Sequence, residues 1–187
     1  MKIAMPDAET KALKNMIDDA SVILEYGSGG STIYGGKSNA QAIISTENDE
    51  EFLNKVVAEY DKDGPLLVPV HVYVGETKKW GYPINNDHQD KWPEYPVAPW
   101  NMAKQKGLDP DTIIIDGRFR VACFLYSIGH AKPGTIIFWD DYVNRESYHI
   151  VEDICKPRKT IGRAAVFIKE HEEFHQDMFD KYCNDMR

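Results

Sequence analysis

Cysteine is scarce in this 187-residue chain: Cys123, Cys155 and Cys183 are odd in number and widely spaced. They form no C-x-x-C pair, which excludes a disulfide framework and a cysteine zinc site. They read as free thiols, with Cys123 buried. No apolar run approaches the roughly 18 residues of a spanning helix, and nothing near Met1 combines a basic start, an apolar stretch and a small-residue cleavage site. The expected location is the cytoplasm. Positive charge is also in deficit. A formal net charge of -8 opposes nucleic acid and anionic membrane as partners. The best basic patch, Lys156, Arg158, Lys159 and Arg163, reads as a solvated turn. Internal repeats and low-complexity tracts are absent.

What remains is the composition of a globular protein, 42% hydrophobic and 28% charged, of a length that suits one domain over 1–187. Pro6-Asp7-Ala8-Glu9 opens a helix with Leu13, Met16 and Ile17 near helical spacing. Short apolar runs then alternate with helical patterns. Ser21–Tyr26, Ala42–Ser45, Leu66–Val74, Thr112–Ile115 and Thr135–Trp139 read as strands, each covered on both faces. Between them lie helices after the Gly27–Gly30 turn through Tyr34, over Asp49–Tyr60 with Phe52, Leu53, Val56 and Val57 inward, and over Phe119–Ile128. Ala164–Ile168 is a late strand, while Tyr148–Ile154 fits either a strand or a helix. The alternation predicts an α/β fold, a Rossmann-like, doubly wound and mostly parallel sheet. Residues 75–100 stand apart, with Trp80, Tyr82, Trp92, Tyr95 and Trp100 among four prolines. A segment of this kind suits a long ordered loop, serving as a lid, as a cover for the core, or as both.

Strand, glycine turn and helix is the arrangement in which backbone N–H groups face a ligand that the missing side chains let approach. Gly27, Ser28, Gly29 and Gly30 form that turn. Glu47 ends the next strand, where an acid can accept hydrogen bonds from the ribose hydroxyls of an adenosine. The competing reading of Glu47 is an exposed residue at a helix start. Asp116, Asp140 and Asp141 follow the fourth and fifth strands and so face the same crevice. Three carboxylates without obvious cationic neighbours repel one another unless a proton or a hard divalent ion such as Mg²⁺ lies between them. Arg118 offers two further roles, an ion pair with Asp116 or a clamp on an anionic acceptor group.

Glu25-Tyr26-Gly27-Ser28-Gly29-Gly30-Ser31 resembles the first motif of the class I S-adenosylmethionine-dependent methyltransferases, over a stretch running from about Ser21 to Ile168. The resemblance implies S-adenosylmethionine as cofactor, Glu25 near its amino-acid part and Glu47 on its ribose. Ser31 departs from the pattern, standing where a third glycine is usual. An NAD-linked dehydrogenase would want that glycine, so its absence tilts against a nicotinamide oxidoreductase. Ile115-Asp116-Gly117, a helix, then Phe138-Trp139-Asp140-Asp141-Tyr142 is similar to the metal-dependent O-methyltransferases of sugars and catechols, which implies Asp116, Asp140 and Asp141 as Mg²⁺ ligands. Arg118 and Arg120 depart from that pattern. Asp116 to Cys123, with Ile161-Gly162-Arg163, also resembles a small bacterial group of methyltransferase-like proteins. The implied activity is methyl transfer to an oxygen or nitrogen of a small acceptor held under residues 75–100, with Asp116, Arg118, Asp140 and Asp141 around it. A non-catalytic nucleoside-binding module, using the aromatic segment for a protein partner, is the alternative.

Histidine adds little. His171-Glu172-Glu173-Phe174-His175 fits the H-E-x-x-H zinc pattern but falls on what reads as a polar terminal helix with no third ligand. His71 reads as a hydrogen-bonded core residue, and His149 as a general base in the absence of a metal.

Overall fold

A computed structural model describes residues 1–187. Helix α1 (Asp7–Asp19) starts at Pro6, with Asp7 and Glu9 in its first turn, where carboxylates oppose the helix dipole. Then come β1 (Val22–Tyr26), α2 (Gly30–Gly35), β2 (Ala42–Glu47), α3 (Glu50–Glu59) and β3 (Leu66–His71). A small antiparallel hairpin, β4 (Thr77–Lys78) and β5 (Tyr82–Pro83), precedes α4 (Glu94–Lys106). The chain continues through β6 (Thr112–Ile115), α5 (Arg120–His130), β7 (Ile136–Trp139), a 3₁₀ segment Glu146–Asp153, β8 (Lys159–Ile161), β9 (Ala164–Ile168) and α6 (Gln176–Tyr182).

One seven-stranded sheet runs β3-β2-β1-β6-β7-β9-β8. Pairing is parallel from β3 to β7 and antiparallel for β7–β9 and β8–β9. The order reverses beside β1, so the carboxyl ends of β1 and β6 flank a crevice where ligands bind in open α/β sheets. Alternate residues of each strand serve different cores. Leu24, Ile44, Ile113, Ile137 and Trp139 face α4 and α5, while Ile23, Ile43, Ile114 and Phe138 face Leu13 and Ile17 of α1. This two-sided burial explains the unbroken apolar runs in the sequence.

Three expectations need correction. β3 is an edge strand with alternating burial, open on one face: Leu66, Pro69 and His71 are exposed. His71 is therefore no core residue, and Pro69 is tolerated because an edge strand needs donors on one side only. On α3, Leu53 and Val56 point inward, but Val57 is exposed. Residues 75–100 are not one loop, since α4 begins at Glu94. Pro96 lies in the first turn, where the missing N–H had no partner anyway, and Pro99 removes one bond without ending the helix. The segment divides its aromatics. Trp92 and Tyr95 are buried in the core and Trp100 bonds the Tyr26 hydroxyl at 3.0 Å, whereas Trp80 stays 71% exposed at the crevice. The undecided stretch Tyr148–Ile154 falls largely within the 3₁₀ segment Glu146–Asp153.

Candidate functional site

A cleft of about 730 Å³ opens at the carboxyl ends of β1, β2, β6 and β7. Its volume lies within the roughly 300–1,000 Å³ of small-molecule sites. Gly27, Ser28, Gly29, Gly30, Glu47, Asp116, Arg118, Asp140 and Asp141 all line it. Glu25 does not.

The glycine turn is shaped by close backbone approach. Gly27 has φ +95, and a Cβ there would lie 2.7 Å from the Gly117 nitrogen, so the turns after β1 and β6 touch main chain to main chain. A Cβ on Gly30 would lie 2.2 Å from the Lys2 carbonyl oxygen, because residues 1–5 cross the turn and wall the cleft. Above Gly29 the space is empty.

Glu25 is fully buried beneath this turn. Its carboxylate accepts from the Ser31 and Thr32 hydroxyls, and from Ser45 Oγ at 2.6 Å. Burial raises its pKa, against these three hydroxyls. Its role is to hold the turn from below. Ser31 thereby explains itself: where a third glycine is usual, this chain places a hydroxyl that locks the start of α2 to β1.

Glu47 ends β2 with 8% exposure, so the exposed reading of it fails. Its Oε1 accepts from the Asn48 and Asp49 amides at 2.8 and 3.1 Å, while no protein group bonds Oε2. Burial pushes its pKa up to about 7, against those two amides. Asn48 also donates to the Gly81 carbonyl at 2.7 Å, docking the β4–β5 hairpin against the end of β2.

Across the cleft the three aspartates do converge, but not as expected. Arg120 donates to Asp116 Oδ1 at 2.9 Å and to three backbone carbonyls around it. Arg163 grips Asp140 through Nε and Nη2 at 3.1 and 2.7 Å, and its Nε lies 3.0 Å from Asp141 Oδ1. Arg145 holds Asp141 Oδ2 at 2.8 Å. Asp116 remains the most open carboxylate, and enclosure in the cleft raises its pKa to about 6, with Arg120 opposing and Asp140 and Asp141 adding to the rise. The expected Mg²⁺ site does not fit this donor set. The oxygens it would need are directed at guanidinium groups, and no grouping of His, Cys, Asp and Glu side chains is arranged to hold a metal ion. Nor does Arg118 pair with Asp116; Arg120 takes that place.

Two of these arginines stand four residues after an aspartate, Asp116 to Arg120 and Asp141 to Arg145, a D-x-x-x-R spacing visible in the sequence. Arg163 had no local signal, because the β8–β9 hairpin brings it back, and it is not part of a solvated turn. His149 does not line the cleft, its Nε2 lying 3.3 Å from the Tyr142 carbonyl. His171–His175 precedes α6 instead of lying on a helix, so the one-turn spacing needed for two zinc ligands is absent.

No family model matches the chain, and no curated protein does. Among solved structures, a methyltransferase-like protein from Silicibacter pomeroyi DSS-3 superposes with a TM-score of 0.89 at 30% identity, covering 98% of this chain and 97% of that one. The N-methyltransferase NodS from Bradyrhizobium japonicum WM9 is 8% identical (TM-score 0.52; 86% and 94% covered), which shows a shared fold. So does SMU.776, a putative methyltransferase solved with SAH, at 12% identity (TM-score 0.52; 88% and 49% covered). Sheet order and crevice thus define an α/β protein of the class I methyltransferase fold. The chain belongs to the class I S-adenosylmethionine-dependent methyltransferase-like family, with the Silicibacter protein as its relative. No helix is long and apolar enough to cross a membrane.

Proposed function

We propose that this protein transfers the methyl group of S-adenosylmethionine to an oxygen or nitrogen of a small acceptor. The observation that carries the reading is Glu47, a buried carboxylate with an unpartnered oxygen, on the same cleft as the glycine turn. Glu47 Oε2 would accept from the ribose hydroxyls, and the open space above Gly29 would admit the cofactor against the amides of the turn. Glu25 acts indirectly, by fixing Ser31 and Thr32 beneath that turn.

The cofactor supplies an electrophilic methyl on sulfur. The acceptor lone pair forms the new bond to that carbon as the carbon–sulfur bond breaks, S-adenosylhomocysteine leaves, and the acceptor sheds one proton. Catalysis of this kind rests mainly on alignment and exclusion of water. The walls for it are Asp116 and Asp141 on one side and residues 75–100, through Trp80 and Tyr82, on the other. Asp140, 1% exposed and gripped by Arg163, is a positioning residue behind them. Mg²⁺ has no part in the proposal, because each aspartate already has a guanidinium partner.

Calorimetric titration of S-adenosylmethionine into the protein and into Glu47→Ala tests this reading. Binding by the first and a loss of at least ten-fold in affinity by the second is expected; equal heats would remove Glu47 from the site. NADH, titrated in parallel, should give no heat.

A further inference from the structure

Four arginines wall the cleft, and only three have a carboxylate. Arg120, Arg145 and Arg163 are paired with Asp116, Asp141 and Asp140. Arg118 is 6% exposed, and its Nη1 is buried with no hydrogen-bond partner. An enclosed, unpaired guanidinium is unfavourable unless something else supplies the counter-charge. What the protein does supply is a ring: the Arg118 guanidinium carbon sits 4.2 Å from the centroid of Tyr82, on the β4–β5 hairpin. Stacking satisfies a face and leaves the donor edge open.

Position turns this vacancy into a site. Arg118 is the third residue after β6 and adjoins Gly117, whose close contact with Gly27 fixes the backbone there. Tyr82 is fixed from the other side, since Asn48 holds Gly81. The guanidinium therefore lies between the acceptor wall and the hairpin. Among the four arginines that line the cleft, Arg118 alone lacks a carboxylate partner, in a protein whose formal net charge is -8. The phenol responds to the same field: burial would raise the Tyr82 pKa, but Arg118 and Arg145 outweigh it and lower it.

We propose that Arg118 anchors a carboxylate on the methyl acceptor, so that the enzyme acts on small carboxylic acids carrying a hydroxyl or amine. The proposal rests on the methyltransferase reading. A planar carboxylate matches the free guanidinium edge in two parallel hydrogen bonds, and its negative charge would supply the partner that Arg118 lacks. Tyr82 would cover the bound group and keep water from it. A carboxylate is also present on the cofactor itself, so the test must separate the two sources.

Thermal-shift measurements on the S-adenosylhomocysteine complex, with millimolar benzoate against neutral benzamide, provide the test. Benzoate should raise the Tm and benzamide should not. In Arg118→Met the benzoate shift should vanish while S-adenosylhomocysteine still binds, and Arg118→Lys should restore part of it. If Arg118→Met fails to fold, Arg118→Gln carries the same comparison. Equal shifts from benzoate and benzamide, or a benzoate shift that survives removal of the guanidinium, would overturn the proposal. So would Arg118→Met weakening S-adenosylhomocysteine but not 5′-methylthioadenosine, which lacks the carboxylate, because that assigns Arg118 to the cofactor. Failure of the unmutated protein to bind S-adenosylhomocysteine would instead sink the methyltransferase reading; the benzoate arm, run without nucleoside, still decides the anchor.

Discussion

Replacing Arg163 with methionine leaves Asp140 as a buried carboxylate with no side-chain donor. In the native protein Asp140 is 1% exposed, and both of its oxygens take their side-chain hydrogen bonds from Arg163 alone. Removing one partner of a buried pair costs about 3–5 kcal/mol, most of it the stranded charge and not the lost attraction. Each kcal/mol lowers the Tm of a chain this size by roughly 2–4 °C, so the variant should melt about 10 °C lower. Asp140→Asn alone should cost less, about 1–2 kcal/mol, because Arg163 is one-third exposed and keeps Asp141. The double variant Asp140→Asn, Arg163→Met should then be more stable than Arg163→Met by about 2 kcal/mol. Urea unfolding of all four proteins, with unchanged slopes, gives the cycle. A loss below about 1 kcal/mol in Arg163→Met, or a double variant no better than that single one, would refute the view that Arg163 exists to neutralise Asp140.

Glu47 should make stability and binding respond to pH with opposite signs. Its pKa is about 7 in the folded protein against an ordinary 4.5, so between those values the folded state keeps a proton that the unfolded chain releases. Stability should therefore fall as pH rises through that window, by up to about 3 kcal/mol, and Glu47→Gln should flatten the slope. Ribose hydroxyls favour the ionised form, so S-adenosylhomocysteine should bind more tightly as pH rises from 6 to 8, with proton release seen as a buffer-dependent heat. Gly30→Ala places a methyl group 2.2 Å from the Lys2 carbonyl, which forces residues 1–5 off the turn. Nucleoside affinity should drop while the sheet, followed by far-ultraviolet circular dichroism, stays intact; unchanged affinity would show that residues 1–5 do not help close the cleft.

How much of this was readable in advance depends on how local the cause is. Strand runs such as Thr112–Ile115 and Ala164–Ile168 were legible because both faces of the sheet are covered, which writes burial into consecutive residues. That the glycine turn and Glu47 share one cleft was legible because both lie in one βαβ unit. Residues 75–100 misled because prolines signal loops, yet α4 accepts them in its first turns. Glu25, expected beside the cofactor, is buried beneath the glycine turn and does not line the cleft, because sequence spacing cannot say which side of a turn an acid occupies. The largest error was reading three aspartates as free of cations. Arg163 comes from a hairpin 22 residues beyond Asp141, set by Gly162 at φ +56 and by Glu9 accepting the Arg163 amide at 2.8 Å. Nothing short of the tertiary fold brings those groups together.

That error also bears on how the cleft works. Carboxylates awaiting a divalent ion must stay unpaired and close, and such a site is repulsive until filled. Here the repulsion is answered within the chain, by arginines anchored to different elements: Arg120 opens α5, Arg145 precedes the 3₁₀ segment, and Arg163 enters β9. These ion pairs hold the aspartate side chains along one side of the cleft, and the Arg163–Asp140 pair ties the β8–β9 hairpin to the end of β7. In the proposed methyl transfer a wall of this kind would position the acceptor without supplying a Lewis acid, so the nucleophile would have to be reactive in its own right or lose its proton to a group such as Asp116. A hydroxyl or amine on a small acid held by Arg118 meets that demand only if it is presented in line with the methyl group. The expectation that follows is kinetic: millimolar Mg²⁺ and chelator should leave the rate alike, whereas loosening the Asp141–Arg145 pair by Arg145→Met should lower kcat more than it raises KM.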